Sequence, residues 1–140
     1  MKQFYLVILT FFSFISAAIA QCDYTIAMSD SYGDGWNGAS ISVSINGNVT
    51  NVTCSGASTT ATVPTEDGAS VEFSWNGGSW DGECGATISA PDGSGIYQFP
   101  EGSAPGPGAL FYTETSNAPG CDPPPLCAQG GLEANGQTVE

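Results

Sequence analysis

Beyond Lys2 the sequence has no lysine or arginine, and histidine is absent altogether, against fourteen Asp and Glu residues and a formal net charge of −13. A polyanion without a cationic side chain cannot grip phosphate, DNA or an anionic membrane surface. It also has no imidazole for general-base work, no amine for a Schiff base and no arginine to meet a developing anion. Serine triads, cysteine proteases, histidine zinc sites and P-loop chemistry are excluded together. Catalysis would have to rest on carboxylates, as in a glycosidase pair. Nothing in the spacing singles out such a pair, and the expectation is a protein that is not an enzyme.

Long apolar runs are equally scarce. The exception is "MKQFYLVILTFFSFISAAIA", in which Lys2, an apolar stretch and the small-residue exit Ala18, Ile19, Ala20 have the layout of a secretory signal peptide over residues 1–20. A retained anchor is the alternative, since the run is nearly long enough to cross a bilayer. The small-residue exit and the lack of a charged stop favour cleavage, with Gln21 as the new N-terminus and no membrane attachment afterwards. A lipoprotein reading at Cys22 is weakened by Gln21, which stands where a small residue is needed. The expected location is secreted, extracellular or at the cell surface. About 120 remaining residues suffice for one core.

Helical periodicity is also missing beyond that segment, and what replaces it is alternation. "YTIAM" sets Tyr24, Ile26 and Met28 on one face; "ISVSI" does the same for Ile41, Val43 and Ile45. Asn46 and Gly47 supply the two positive-φ residues of a tight hairpin. "NVTNVTC", "STTATV", "SVEFSW" with Val71, Phe73 and Trp75 inward, "CGATISA", "IYQF" and "ALFYTE" complete the series. Seven or eight short strands with glycine-rich turns predict an all-β fold, an antiparallel β-sandwich of jelly-roll or immunoglobulin-like kind or a related barrel, over residues 21–115. Asn48 and Asn51 each open an N-V-T sequon on a polar strand.

From residue 116 to 140 the chain turns proline- and glycine-rich, and is expected to be a linker or an ordered strap. Five cysteines in a short exported chain predict a disulfide framework with one thiol over. Cys121 and Cys127 enclose five residues, and a local bridge there would staple the strap. Cys22, Cys54 and Cys84 all share the phase of core positions. Cys22 with Cys84 is the favoured pair, leaving Cys54 over.

"CDYTIAMSDSYGDGWNGASISVSING", followed some thirty residues on by "FSWNGGSWDGECGATI", resembles a repeated β-sandwich module of exported and surface proteins, those of Bacteroidetes among them. The resemblance covers roughly residues 22–98 and rests on two motifs in the right order. It implies an adhesion-like or binding module, usually one of several in a longer protein; here the pattern occurs once.

In the loop "DSYGDGWNG", Asp30, Asp34 and Asn37 offer oxygen ligands at close spacing, and Gly33, Gly35 and Gly38 let the chain curl around a hard cation such as calcium. An EF-hand frame begun at Asp30 fails, with Tyr32 at its third position and Ile41 at its twelfth. In "SWDGE", Asp81 and Glu83 repeat the chemistry, so the metal set predicted is Asp30, Asp34, Asn37, Asp81 and Glu83. The competing reading is that the aspartates close Asx-turns on backbone N–H groups. Tyr32, Trp36 and Trp80, placed in loops beside carboxylates and amides, suit the stacking of a neutral glycan; the same rings would also serve as lids over a small core. The expectation is a secreted, non-catalytic binding or adhesion module whose partner is a neutral glycan or a surface protein. The alternative is a structural subunit of an extracellular or envelope assembly.

Overall fold

Asn46 and Gly47 both take positive φ, 49° and 84°, and this tight turn sets the register of the hairpin on either side of it. The computed structural model describes residues 22–121; the expected signal peptide, Gln21 and the tail from 122 onward, Cys127 included, lie outside the described residues. Eight strands follow in order: β1 (Asp23–Asp30), β2 (Ser40–Ile45), β3 (Asn48–Val52), β4 (Ser58–Pro64), β5 (Ser70–Asn76), β6 (Cys84–Ser89), β7 (Gly95–Phe99) and β8 (Leu110–Thr115). A 3-10 turn, Asp81–Glu83, precedes β6. The strands form two four-stranded antiparallel sheets, ordered β4-β1-β6-β7 and β3-β2-β5-β8. The fold is the all-β sandwich that the alternation predicts, and no barrel closes.

Alternation decides what each strand contributes to the space between the sheets. Tyr24, Ile26 and Met28 of β1 face inward, as do Ile41 and Val43 of β2, Val71, Phe73 and Trp75 of β5, and Cys84, Ala86 and Ile88 of β6. The aromatic members interlock edge to face: Trp75 meets Phe99 at 5.5 Å and Tyr24 meets Phe73 at 5.5 Å between ring centroids. The Tyr24 hydroxyl still reaches a partner, donating to Glu114 Oε1 at 2.7 Å, while Tyr112 donates to Oε2 at 2.8 Å.

The disulfide pairing differs from both expectations. Cys22 is joined to Cys121, with Cα atoms 5.5 Å apart, so neither the Cys22 to Cys84 bridge nor the local Cys121 to Cys127 bridge forms. The antiparallel register gives the reason. It sets Cys84 opposite Asp30, the far end of β1, and eight residues of strand at about 3.3 Å each carry Cys22 roughly 26 Å away. Cys54 and Cys84 are both buried free thiols. The bridge fastens an ordered strap over residues 116–121. Ser116 N–H donates to Ala69 O at 2.8 Å, Ala118 N–H to Asp67 Oδ1 at 2.9 Å, and Asp67 N–H to Cys121 O at 3.1 Å. The last strand ends at Thr115, and ordered backbone continues beyond it through this strap.

Candidate functional site

The period of β1 does not stop at its last apolar residue. Asp30 has the parity of Tyr24, Ile26 and Met28, and so turns inward at the mouth of the core, where it is only 4% exposed. Its Oδ1 accepts the Gly33 N–H at 2.5 Å, closing an Asx-turn. Its Oδ2 is buried with no hydrogen-bond partner. An ionised oxygen in that position forgoes its hydration and gains nothing in exchange, which is among the costlier arrangements in a protein interior.

The loop that follows winds tightly because glycine permits it. At Gly35, φ is +95° and an added Cβ would lie 2.9 Å from Cys54 O, so no other residue fits without displacing backbone. This close approach lets Trp36 N–H donate to Cys54 O at 3.2 Å. Trp36 then drops into the sandwich, 1% exposed, with its ring 5.1 Å from that of Trp75 and its Nε1–H donating to Ser29 O at 2.8 Å. Trp36 is thus a core residue and not the ligand platform predicted for it. Tyr32 and Trp80 do stand in solvent, 78% and 61% exposed.

Two backbone bonds draw the second loop against the first: Ser31 N–H to Glu83 O at 3.0 Å and Ser79 N–H to Asn37 O at 3.2 Å. They bring Asp34 and Glu83 to Asp30, and the three residues hold one carboxylate oxygen each within 4.8 Å of one another. Burial, then the charges of Asp30 and Asp34, push the Glu83 carboxyl above its ordinary range. Asp81 stands apart from this group. Its Oδ1 accepts Gly78 N–H at 2.6 Å and its Oδ2 accepts Trp75 Nε1–H at 3.3 Å, which makes it a brace for its own loop and for a core tryptophan. Asn37 acts as a brace too, with Nδ2 donating to Asp34 Oδ1 at 3.0 Å and to Gly35 O at 2.8 Å. Of the five residues predicted to bind metal, the fold brings three carboxylates together.

The thiols lie beneath this cluster. Cys84 Sγ is 3.7 Å from Trp80 O and Cys54 Sγ 3.2 Å from Gly56 O. Burial, then Asp81 and Asp30, push the Cys84 thiol up to about 12; burial also raises that of Cys54. Both are protonated near neutral pH and poor nucleophiles. A concavity of about 490 Å³ opens at the other end of the sandwich, lined by Ile45, Val63, Glu66 and Cys121 among others; neither the clustered Asp30, Asp34 and Glu83 nor the exposed Tyr32 and Trp80 border it. Among the described residues no helix is long and apolar enough to cross a membrane. No protein-family model, curated protein or solved structure matches the chain.

Proposed function

We propose that the chain is an extracellular, non-catalytic binding or adhesion module that takes neutral glycans at the end of the sandwich formed by residues 31–39 and 77–83. The observation that carries this reading is the pair of rings, Tyr32 and Trp80, left in solvent on two loops that hydrogen-bond to each other. Neutral sugars are recognised by such rings, with amides and carboxylates nearby to accept hydroxyl hydrogens. Glycosidase action has less support. The three clustered carboxylates converge on one point, with one oxygen of each within 4.8 Å of the others, an arrangement suited to a shared cation more than to an acid and a nucleophile flanking a glycosidic bond. A glycan microarray probed with the wild-type protein and Trp80→Ala tests the proposal. Binding to neutral glycans, lost in the variant, is expected; an array without a hit removes the carbohydrate reading.

A second reading, as a structural subunit, is favoured by one feature. Strand β3 is an edge strand with Val49 61% exposed, and an unpaired edge of this kind can add a strand from another chain. Concentration-dependent assembly abolished by Val49→Lys would support it, and a monomer at all concentrations would dismiss it.

A further inference from the structure

We propose that Asp30, Asp34 and Glu83 form a binding site for a hard divalent cation, with calcium the best match. Convergence alone does not carry this, because acidic groups gather on many surfaces without a ligand. The second observation is the inner carboxylate: Asp30 is 4% exposed, and its Oδ2 has no partner while Oδ1 is held by Gly33 N–H. A buried carboxylate oxygen calls for a donor or a positive charge. The sequence provides no cationic side chain after Lys2 to supply one. A metal ion satisfies the oxygen and at the same time relieves the repulsion among the three carboxylates.

The choice of ion follows from the donors. All three are carboxylate oxygens, the donor type of a hard cation, and the thiols of Cys54 and Cys84 are directed at backbone carbonyls. The ligands come from the end of β1, the glycine loop after it and the 3-10 turn before β6, and the outer one, Asp34, is exposed, so water completes the shell. Calcium accepts such a variable set of oxygens, whereas magnesium demands a near-ideal octahedron. With three carboxylates and an open rim, the affinity belongs with extracellular calcium modules, at a dissociation constant of about 10⁻⁴ to 10⁻³ M. The ion would tie the end of β1 to the 3-10 turn before β6. This site stands or falls separately from glycan binding, since it uses neither ring as a ligand.

Terbium luminescence sensitised by the protein's tryptophans is the test, with terbium alone as probe and calcium or magnesium as competitor. Saturable emission displaced by calcium far better than by magnesium is expected. Asp30→Asn, which keeps the acceptor for Gly33 N–H, and Glu83→Gln, on a partly exposed turn, should each weaken binding by about tenfold or more. Asp92→Asn, in an exposed turn outside the cluster, should leave it within about twofold. If Asp30→Asn does not fold, Glu83→Gln decides the matter alone. Emission that does not saturate, that ignores calcium, or that is equal in the site variants and Asp92→Asn would show only diffuse attraction to a polyanion, and would overturn the site.

Discussion

The two ends of this sandwich handle the same excess of negative charge in opposite ways. At the end where β1 begins, the carboxylates are met by hydrogen-bond donors. Glu66 Oε1 accepts Asn46 Nδ2–H at 2.7 Å, Asp67 Oδ1 accepts Ala118 N–H at 2.9 Å, and a disulfide fastens the strap above them. At the end where β1 finishes, three carboxylates converge and one inner oxygen has no donor. Both ends belong to the same two sheets, so the contrast is built in the loops. One end is closed by covalent and hydrogen bonds, and the other gathers negative charge around an oxygen without a donor, the feature on which the proposed cation site rests.

The largest expected effect comes from opening the closed end. Removing the Cys22 to Cys121 bridge, by reduction or by Cys121→Ser, releases a loop of about 100 residues, for which chain entropy assigns roughly 4.7 kcal/mol; chemical denaturation with and without reductant measures it. Next comes the tryptophan that joins the receptor loop to the core. Trp36→Ala should cost about 3–5 kcal/mol, whereas the exposed Trp80→Ala should stay within about 0.5 kcal/mol in the same denaturation series. Equal losses at the two positions would contradict the assignment of one ring to the core and the other to the surface.

A smaller effect at the closed end is Asp67→Ala, which removes the acceptor for Ala118 N–H and should cost about 1 kcal/mol while loosening the strap, as read by hydrogen exchange at residues 116–121. Alkaline pH should act on the same half of the molecule. Burial raises the pKa of Tyr24 and, more weakly, that of Tyr112, so the folded state retains protons that the unfolded chain releases near pH 10. Their contribution is complete below about pH 10 and is lost as pH climbs above it toward the folded values. Tyr24→Phe should flatten that alkaline decline in a series of thermal melts. The smallest effect is expected of the thiols: Cys54 and Cys84, buried and protonated, should resist alkylation in the native protein and react only on unfolding, as counted by mass spectrometry.

How far the sequence announced each end follows from which residues obey a period. The eight strands were legible because their inward positions recur every second residue, and Asn46-Gly47 marked its own turn. The same rule reaches Asp30, since it continues the parity of Tyr24, Ile26 and Met28, and this was the available sign that one aspartate would be buried. The glycine loop after it has no period, so nothing local told Trp36, which enters the core, from Tyr32, which does not. Asp81 and Glu83 are two residues apart, but only the course of the 3-10 turn separates a loop brace from a member of the cluster. The disulfide was illegible for a different reason. Parity places a cysteine on the inner face but not along the strand, and strand direction put Cys84 and Cys22 at opposite ends.

Hydrogen exchange with and without calcium addresses the contrast most directly, because it reads both ends in one experiment. If the account is right, millimolar calcium adds protection at residues 30–38 and 79–84 and leaves 65–70 and 116–121 unchanged, and Glu83→Gln removes the added protection. Exchange that is indifferent to calcium, or that slows equally at both ends, would contradict it.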